Sequence, residues 1–165
     1  MKSYMKIALG EAKKALLKDE VPIGAVIVDK DGLITAKCGN KNRELNDPTA
    51  HAEIMAIRKA CKKIKNNKLL GYSIYVTLQP CEMCLHAIIN SRISNLYYGA
   101  SDLGNEDLQI KYKSFAENKN LKIDIYPSIS EKECSDLLIN FFKSKRIKYN
   151  LIWALHLKYF IICIY

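Results

Sequence analysis

The residue types best suited to chemistry in this sequence are one histidine, one glutamate and two cysteines, in two short motifs. His51-Ala52-Glu53 comes first, and Pro80-Cys81-Glu82-Met83-Cys84 follows about one βα unit later. Cysteines three residues apart on one helical turn point their sulfurs the same way. A helix N-terminus also favours the thiolate, which is the form of cysteine that binds zinc. The spacing therefore predicts a metal site made of His51, Cys81 and Cys84.

Three protein ligands leave a tetrahedral zinc ion with one open position, which is typical of a catalytic site and not of a structural one. That position is for water, whose pKa zinc lowers towards roughly 7. Glu53 lies two residues from His51, so its carboxylate points elsewhere on the helix and need not bind the metal. It can take a proton from the water, pass it to a ring nitrogen of a base and later protonate departing ammonia.

Weaker interpretations exist for each motif alone. A lone CxxC also fits a pair of buried structural cysteines, and an isolated His-x-Glu is usually a solvated helix start. A non-catalytic zinc module that binds RNA is a further alternative. Glu53 argues against that module, because a structural site has no use for an uncoordinated acid beside an open zinc position. The joint pattern favours catalysis.

The elements that must position these motifs alternate between strand and helix. An amphipathic helix is expected from Met1 to about Lys18, then a hairpin formed by 22–28 and 33–38. Residues 73–78 and 93–99 flank a helix that starts at Pro80, so they form a parallel pair with a right-handed crossover. The fold class is therefore α/β, a three-layer α/β/α domain with a mixed sheet of about five strands.

Two helix starts have recognisable signals. Asp47 is the expected N-cap of the helix that carries Glu53, with Pro48 at its first position. Ser130 and Glu133 form a capping box for the last helix. An apolar stripe on that helix consists of Cys134, Leu137, Leu138, Phe141 and Phe142. A half-buried strand before it is indicated by the alternation of Leu121, Ile123 and Ile125 with charged residues.

Composition sets broader limits. A chain of 165 residues fits one domain, and its net charge of +9 could attract a polyanion or reflect a general bias towards lysine, asparagine and isoleucine. The N-terminus lacks the apolar core of a signal peptide, so a cytoplasmic protein with reduced cysteines is expected. Residues 149–165 form a hydrophobic extension, which is shorter than a membrane-spanning helix needs and is expected to be dispensable for catalysis.

A family resemblance rests on four stretches: Val21-Pro22-Ile23-Gly24-Ala25-Val26, Asp47-Pro48-Thr49-Ala50-His51-Ala52-Glu53-Ile54, Tyr75-Val76-Thr77-Leu78-Gln79-Pro80-Cys81-Glu82-Met83-Cys84 and Ser91-Arg92-Ile93. Over residues 1–148 the chain resembles the tRNA-specific adenosine deaminases of the cytidine deaminase superfamily. The resemblance implies one Zn²⁺ per subunit held by His51, Cys81 and Cys84, with Glu53 as proton shuttle. It also implies a homodimer that converts adenosine to inosine at wobble position 34 of a tRNA anticodon. A guanine deaminase, or another free-base or nucleoside deaminase of the superfamily, is the alternative.

The resemblance also suggests substrate contacts. Asn40 matches an asparagine that contacts the bound nucleoside in the family, with Asn42 as the alternative if a small gap intervenes. Asp102 can be matched after Gly99-Ala100, but the lysine that usually follows it cannot. Gln79 stands where the family often has glutamate. Three cations at the end of the last helix are the candidate phosphate contacts, or else simply solvated residues: Lys143, Lys145 and Arg146.

Overall fold

A five-stranded mixed sheet with helices on both faces forms the described part of the chain, in a computed structural model that describes residues 4–101 and 123–153. Side-chain surroundings are described as far as residue 146. The helices are α1 (Tyr4–Leu17), α2 (Asn42–Leu45), α3 (Ala52–Ile64), α4 (Glu82–Asn90) and α5 (Glu131–Trp153). The strands are β1 (Gly24–Val28), β2 (Ile34–Gly39), β3 (Ser73–Leu78), β4 (Asn95–Ala100) and β5 (Asp124–Tyr126).

The strand order is β2-β1-β3-β4-β5. β1 pairs antiparallel with β2 and with β3, whereas β4 pairs parallel with β3 and with β5. The predicted hairpin and the predicted parallel pair are both confirmed. Because β3 and β4 are parallel, α4 crosses over between them and begins at the carboxyl end of β3, beside the end of the sheet where ligands bind in open α/β sheets.

Alternate residues of the central strand β1 enter two different cores. Ala25 and Ile27 pack with α3 and α4, while Val26 and Val28 pack with α1 and α5. All five residues of β1 are buried, as expected for a strand covered on both faces. This division confirms the predicted three-layer α/β/α arrangement.

The predicted start of α3 is wrong by several residues. The helix begins at Ala52 with His51 as its N-cap, and Asp47 lies before it in a turn. There the Asp47 carboxylate accepts hydrogen bonds from Thr49 N–H at 2.8 Å and from its hydroxyl at 2.7 Å. Aspartate forms such local turns as readily as it caps helices, so Asp47-Pro48 shapes the approach to the helix instead.

The starts of the other two helices also differ from prediction. α4 begins at Glu82, with Cys81 and not a residue before Pro80 as its N-cap. Ser130 has φ 57°, in the left-handed region, so it lacks the extended backbone of the predicted capping box. On α5, Cys134, Leu138 and Phe141 are buried and Leu137 is half-buried, but Phe142 is 45% exposed. Phe142 therefore lies outside the packed stripe.

The end of the chain is only partly described. The α5 backbone continues to Trp153, so it passes the predicted boundary at 148 without a break. The rest of the predicted extension, residues 154–165, lies outside the described residues, as does Leu121 of the predicted alternating strand. In the described part of the chain, no helix is long and apolar enough to cross a membrane.

α1 lies very close to the sheet at Gly24. A Cβ added there would overlap the backbone carbonyl oxygen of Ala8 and lie 2.7 Å from the nitrogen of Ala12. Backbone atoms cannot move aside as a flexible side chain can. We therefore expect Gly24→Ala to lower the free energy of unfolding by roughly 1–3 kcal/mol, as overpacking of a core does.

Gly10 supplies the matched control. It lies within α1, and a Cβ added there would meet nothing within 4 Å. Alanine at this position should raise the free energy of unfolding by roughly 0.5–1 kcal/mol, since glycine is a poor helix former. Urea unfolding of both variants measures these changes. Equal free energies of unfolding for Gly24→Ala and wild type would contradict the close packing of α1 on β1.

Candidate active site

Two helix N-termini meet at the site. His51 is the N-cap of α3, with φ −67° and ψ 153°, and Cys81 is the N-cap of α4, with φ −69° and ψ 171°. Cys84 follows in the first turn of α4 and is fully buried. Helix N-termini carry partial positive charge, which stabilises thiolates placed beside them.

The three side chains have a metal-binding geometry. His51 Nδ1 lies 3.4 Å from Cys84 Sγ and 3.7 Å from Cys81 Sγ. The three donor atoms all lie within 4.8 Å of one another. Tetrahedral zinc with ordinary Zn–N and Zn–S bonds separates its ligand atoms by about 3.6–3.8 Å. The predicted group is thus brought together, and its distances and donor types fit zinc.

The electrostatics of the site favour thiolate at Cys81. The hydrogen bond from the Cys84 thiol is the main cause that lowers the pKa of Cys81 to about 4, with the bond to His51 adding to it and burial opposing it. The same bond to Cys81, together with burial, raises the pKa of Cys84. The hydrogen bond to Cys81 raises the pKa of His51. At neutral pH the group therefore already carries one thiolate, which is the form that binds a metal.

Glu53 is a buried acid beside this group, with only 4% of its surface exposed. Burial raises the pKa of its carboxyl to about 7, although the His51 imidazole opposes the shift. A carboxyl that titrates near neutral pH can both accept and donate a proton during one turnover. Glu53 was predicted to point elsewhere on the helix, but in the first turn of α3 its carboxyl is hydrogen-bonded to the Cys84 thiol, so it lies directly beside the metal-binding atoms.

Asn40 connects the end of β2 to the start of α3. It is 5% exposed, and its Oδ1 accepts a hydrogen bond from Ala52 N–H at 2.8 Å. Asn42, the alternative, donates from Nδ2 to Pro48 O at 3.0 Å, and its buried Oδ1 has no hydrogen-bond partner within the described residues. Asn40 is therefore the asparagine bonded to the helix that carries Glu53.

The remaining predicted substrate contacts differ in their exposure and in their partners. Asp102 lies outside the described residues. Lys143 and Arg146 are exposed on α5, as predicted. Lys145, in contrast, forms an ion pair with Asp19, and its Nζ lies 5.3 Å from the centroid of the Phe141 ring.

Glu20 is a further buried acid, which the sequence motifs did not predict. Its side chain is 2% exposed, and Oε1 accepts hydrogen bonds from the backbone N–H groups of Arg43 and Glu44, each at 2.8 Å. The only signal in the sequence is its place directly before the stretch that begins at Val21. Nothing there reveals that its partners lie more than twenty residues away.

Comparison with known proteins identifies the family. Residues 1–100 match the cytidine and deoxycytidylate deaminase zinc-binding region. The chain is 45% identical over 145 residues to a tRNA-specific adenosine deaminase of Agrobacterium fabrum, covering 87% of this chain and 95% of that protein. Zinc is thus the cofactor of the family, as predicted.

Solved structures similar to this chain include deaminases as well. One from a study of A-to-I editing by tRNA:A34 deaminases at the wobble position has a TM-score of 0.77 and 44% identity, covering 84% of this chain and all of that one. A guanine deaminase from Bacillus subtilis has a TM-score of 0.58 and 37% identity, covering 68% of this chain and 74% of that one. The chain belongs to the tRNA-specific adenosine deaminases, within the cytidine and deoxycytidylate deaminase family.

Proposed function

We propose that this protein is a zinc-dependent aminohydrolase that converts adenosine to inosine at wobble position 34 of a tRNA anticodon. The observation that carries the proposal is the buried Glu53 carboxyl beside the His51, Cys81 and Cys84 donor group. Similarity to the tRNA-specific adenosine deaminase of Agrobacterium fabrum supports the choice of substrate.

The proposed mechanism divides the work between a metal site and one acid. His51, Cys81 and Cys84 would hold zinc, which would supply a water of lowered pKa at neutral pH. Glu53 accepts a proton from the attacking water and delivers it to N1 of adenine. The water oxygen adds at C6, and Glu53 then takes the second proton from the added hydroxyl and passes it to the amino group. The C6–N bond breaks, C6=O forms and ammonia departs. The product is inosine.

Asn40 is our candidate for the contact to the nucleoside. Because its Oδ1 is bonded to Ala52 N–H, the Nδ2 group is the part of the side chain that we assign to the substrate. The base must leave its stack to reach Glu53, and a hydrogen bond to the nucleoside helps to fix the extruded conformation. Asp102 stays a predicted substrate contact.

Lys143 and Arg146 are our candidates for phosphate contacts. Both are exposed, whereas Lys145 forms an ion pair with Asp19. Lys145 therefore provides a matched control on the same helix. Each phosphate contact adds about 0.7–0.9 to the slope of log affinity against log salt. The double variant Lys143→Ala/Arg146→Ala should weaken tRNA binding. The slope should become shallower by up to the contribution of about two phosphate contacts, with zinc content unchanged.

Binding measured at several salt concentrations, for both variants and wild type, checks this expectation. Lys145→Ala should keep the wild-type slope, because its charge is already paired within the protein. An unchanged slope for the double variant would exclude Lys143 and Arg146 as phosphate contacts. A flattened slope for Lys145→Ala would return that residue to the candidates.

A panel of substrates tests the function itself. Purified protein is incubated separately with total tRNA, guanine and cytidine, and inosine in tRNA and released ammonia are measured. We expect inosine from tRNA only. Release of ammonia from guanine, without inosine in tRNA, would favour the alternative suggested by the likeness to the Bacillus subtilis guanine deaminase. Inactivity on all three would favour the zinc RNA-binding module.

Three expectations from the resemblance and the composition stay predictions. The first is a homodimer, which light scattering of the purified protein measures. The second is a cytoplasmic location, which fractionation of cells measures. The third is that residues 149–165 are dispensable for catalysis, so that a soluble truncation after Lys148 should keep its zinc and its activity.

A further inference from the structure

Glu20 is a buried acid outside the group that performs the chemistry. It lies between α1 and β1, and both of its backbone hydrogen bonds end on the same oxygen, Oε1. A carboxylate is costly to bury unless hydrogen bonds replace its lost water. Bonds from N–H groups to a charged oxygen are among the stronger ones in proteins. Glu20 is therefore held by Arg43 and Glu44, and it holds them in return.

The element that Glu20 holds cannot be stable alone. α2 has four residues, far fewer than an isolated helix needs. Its first-turn N–H groups have no partner within the helix, and Glu20 supplies one for two of them. The position of α2 therefore depends on a side chain from another part of the chain.

α2 lies within a closed loop that runs from Asn40 to Ala52. Asn40 N–H donates to Ile23 O at 3.1 Å, and Lys41 N–H donates to Ala50 O at 2.9 Å. The two ends of the loop meet where Asn40 Oδ1 accepts from Ala52 N–H. Ala52 is the first residue of α3 and lies between His51 and Glu53.

We infer that Glu20 is a positioning residue: by fixing α2 it fixes Asn40, and through Asn40 it fixes the N-terminus of α3. The inference rests on the proposed function, because its catalytic consequence is measured on the tRNA substrate. Small displacements of groups around a reacting centre cost far more rate than stability. Loss of the Glu20 bonds therefore lowers turnover without removing the metal ligands.

The ion pairs around α2 do not perform this task. Asp19 pairs with Arg43, and Lys18 and Lys41 pair with Glu44, but these pairs lie at the surface. Exposed pairs are screened by solvent and contribute little. Asp19→Asn is thus a matched control, since it removes a neighbouring charge that faces the same helix and leaves both Glu20 bonds in place.

Two substitutions separate the position of the Glu20 oxygen from the charge of its carboxylate. Glu20→Gln keeps an oxygen at the position of Oε1 and loses the charge. Glu20→Asp keeps the charge and withdraws the oxygens by one carbon–carbon bond. Amide hydrogen exchange of Arg43, Glu44 and Ala52 is measured by NMR for both variants and the Asp19→Asn control, together with zinc per chain and with kcat and KM on tRNA.

We expect Glu20→Asp to speed exchange at all three amides by roughly tenfold or more and to lower kcat by roughly tenfold to a hundredfold, with zinc per chain unchanged. Glu20→Gln should keep slow exchange and most of the wild-type kcat, and Asp19→Asn should match wild type in amide exchange, zinc per chain and kcat. Wild-type exchange at Ala52 in Glu20→Asp would overturn the inference, as would a Glu20→Gln variant as defective as Glu20→Asp. If wild type does not deaminate tRNA, the proposed function fails, while the exchange of Ala52 still decides the role of Glu20.

Discussion

Replacing Glu53 with alanine should lower kcat for deamination by about 10²–10⁴-fold, because general acid–base transfer typically contributes that much. The loss should lie towards the upper end, since this one carboxyl serves more than one proton transfer in the proposed mechanism. Its burial and its pKa of about 7 suit both directions of transfer. Single-turnover measurement of inosine formation checks the expected value.

The same variant should keep its fold and its zinc, because Glu53 is not among the metal-binding side chains. Glu82 gives a matched control: it is also an acid in the first turn of a helix beside the site, but it is exposed. Glu82→Ala should deaminate at close to the wild-type rate. A Glu53→Ala variant that turns over as fast as wild type would show that the proton shuttle has been wrongly assigned.

The features that sequence predicted well are those that depend on local pattern. The Ser73–Leu78 strand has the predicted bounds, because a compact apolar run between turn signals has few other stable arrangements. His51, Cys81 and Cys84 come together because each lies at the start of a helix next to the sheet, and that placement follows from the βαβ pattern.

The features that sequence did not predict depend on contacts between distant elements. Asp47 has the right chemistry for an N-cap, yet the N-cap of α3 is His51, four residues later. There Asn40, from the end of β2, accepts a hydrogen bond from Ala52 N–H. Lys145 pairs with Asp19, 126 positions away. A cation that was expected to contact only solvent thus forms an ion pair within the protein. No local pattern carries information on such partners.

Glu20 is a further residue whose surroundings the sequence did not predict. An acid before a strand is ordinarily expected at the surface. Its burial becomes intelligible only with α2 in place, since the two N–H groups that satisfy it belong to Arg43 and Glu44. The motifs thus predict the groups that could react, but not the contacts that hold those groups in position.

Removing one thiolate from the metal group should lower deamination as strongly as Glu53→Ala does, but through loss of zinc. Cys84→Ala leaves His51 and Cys81 as the only two members of the group, so zinc should fall well below one ion per chain and deamination should be lost with it. Zinc that binds the folded chain also stabilises it. A chelator should therefore lower the Tm of wild type but have little effect on the Tm of Cys84→Ala.

Cys61→Ala is the control for this last prediction, because it makes the same chemical change on α3 at a cysteine outside the metal group. Cys61→Ala should therefore keep one zinc per chain, as measured by elemental analysis, and a Tm that still falls on chelation. Full zinc occupancy in Cys84→Ala would remove Cys84 from the ligand set. The proposed attack by water depends on an open coordination position beside three protein ligands, so it would then lose its support.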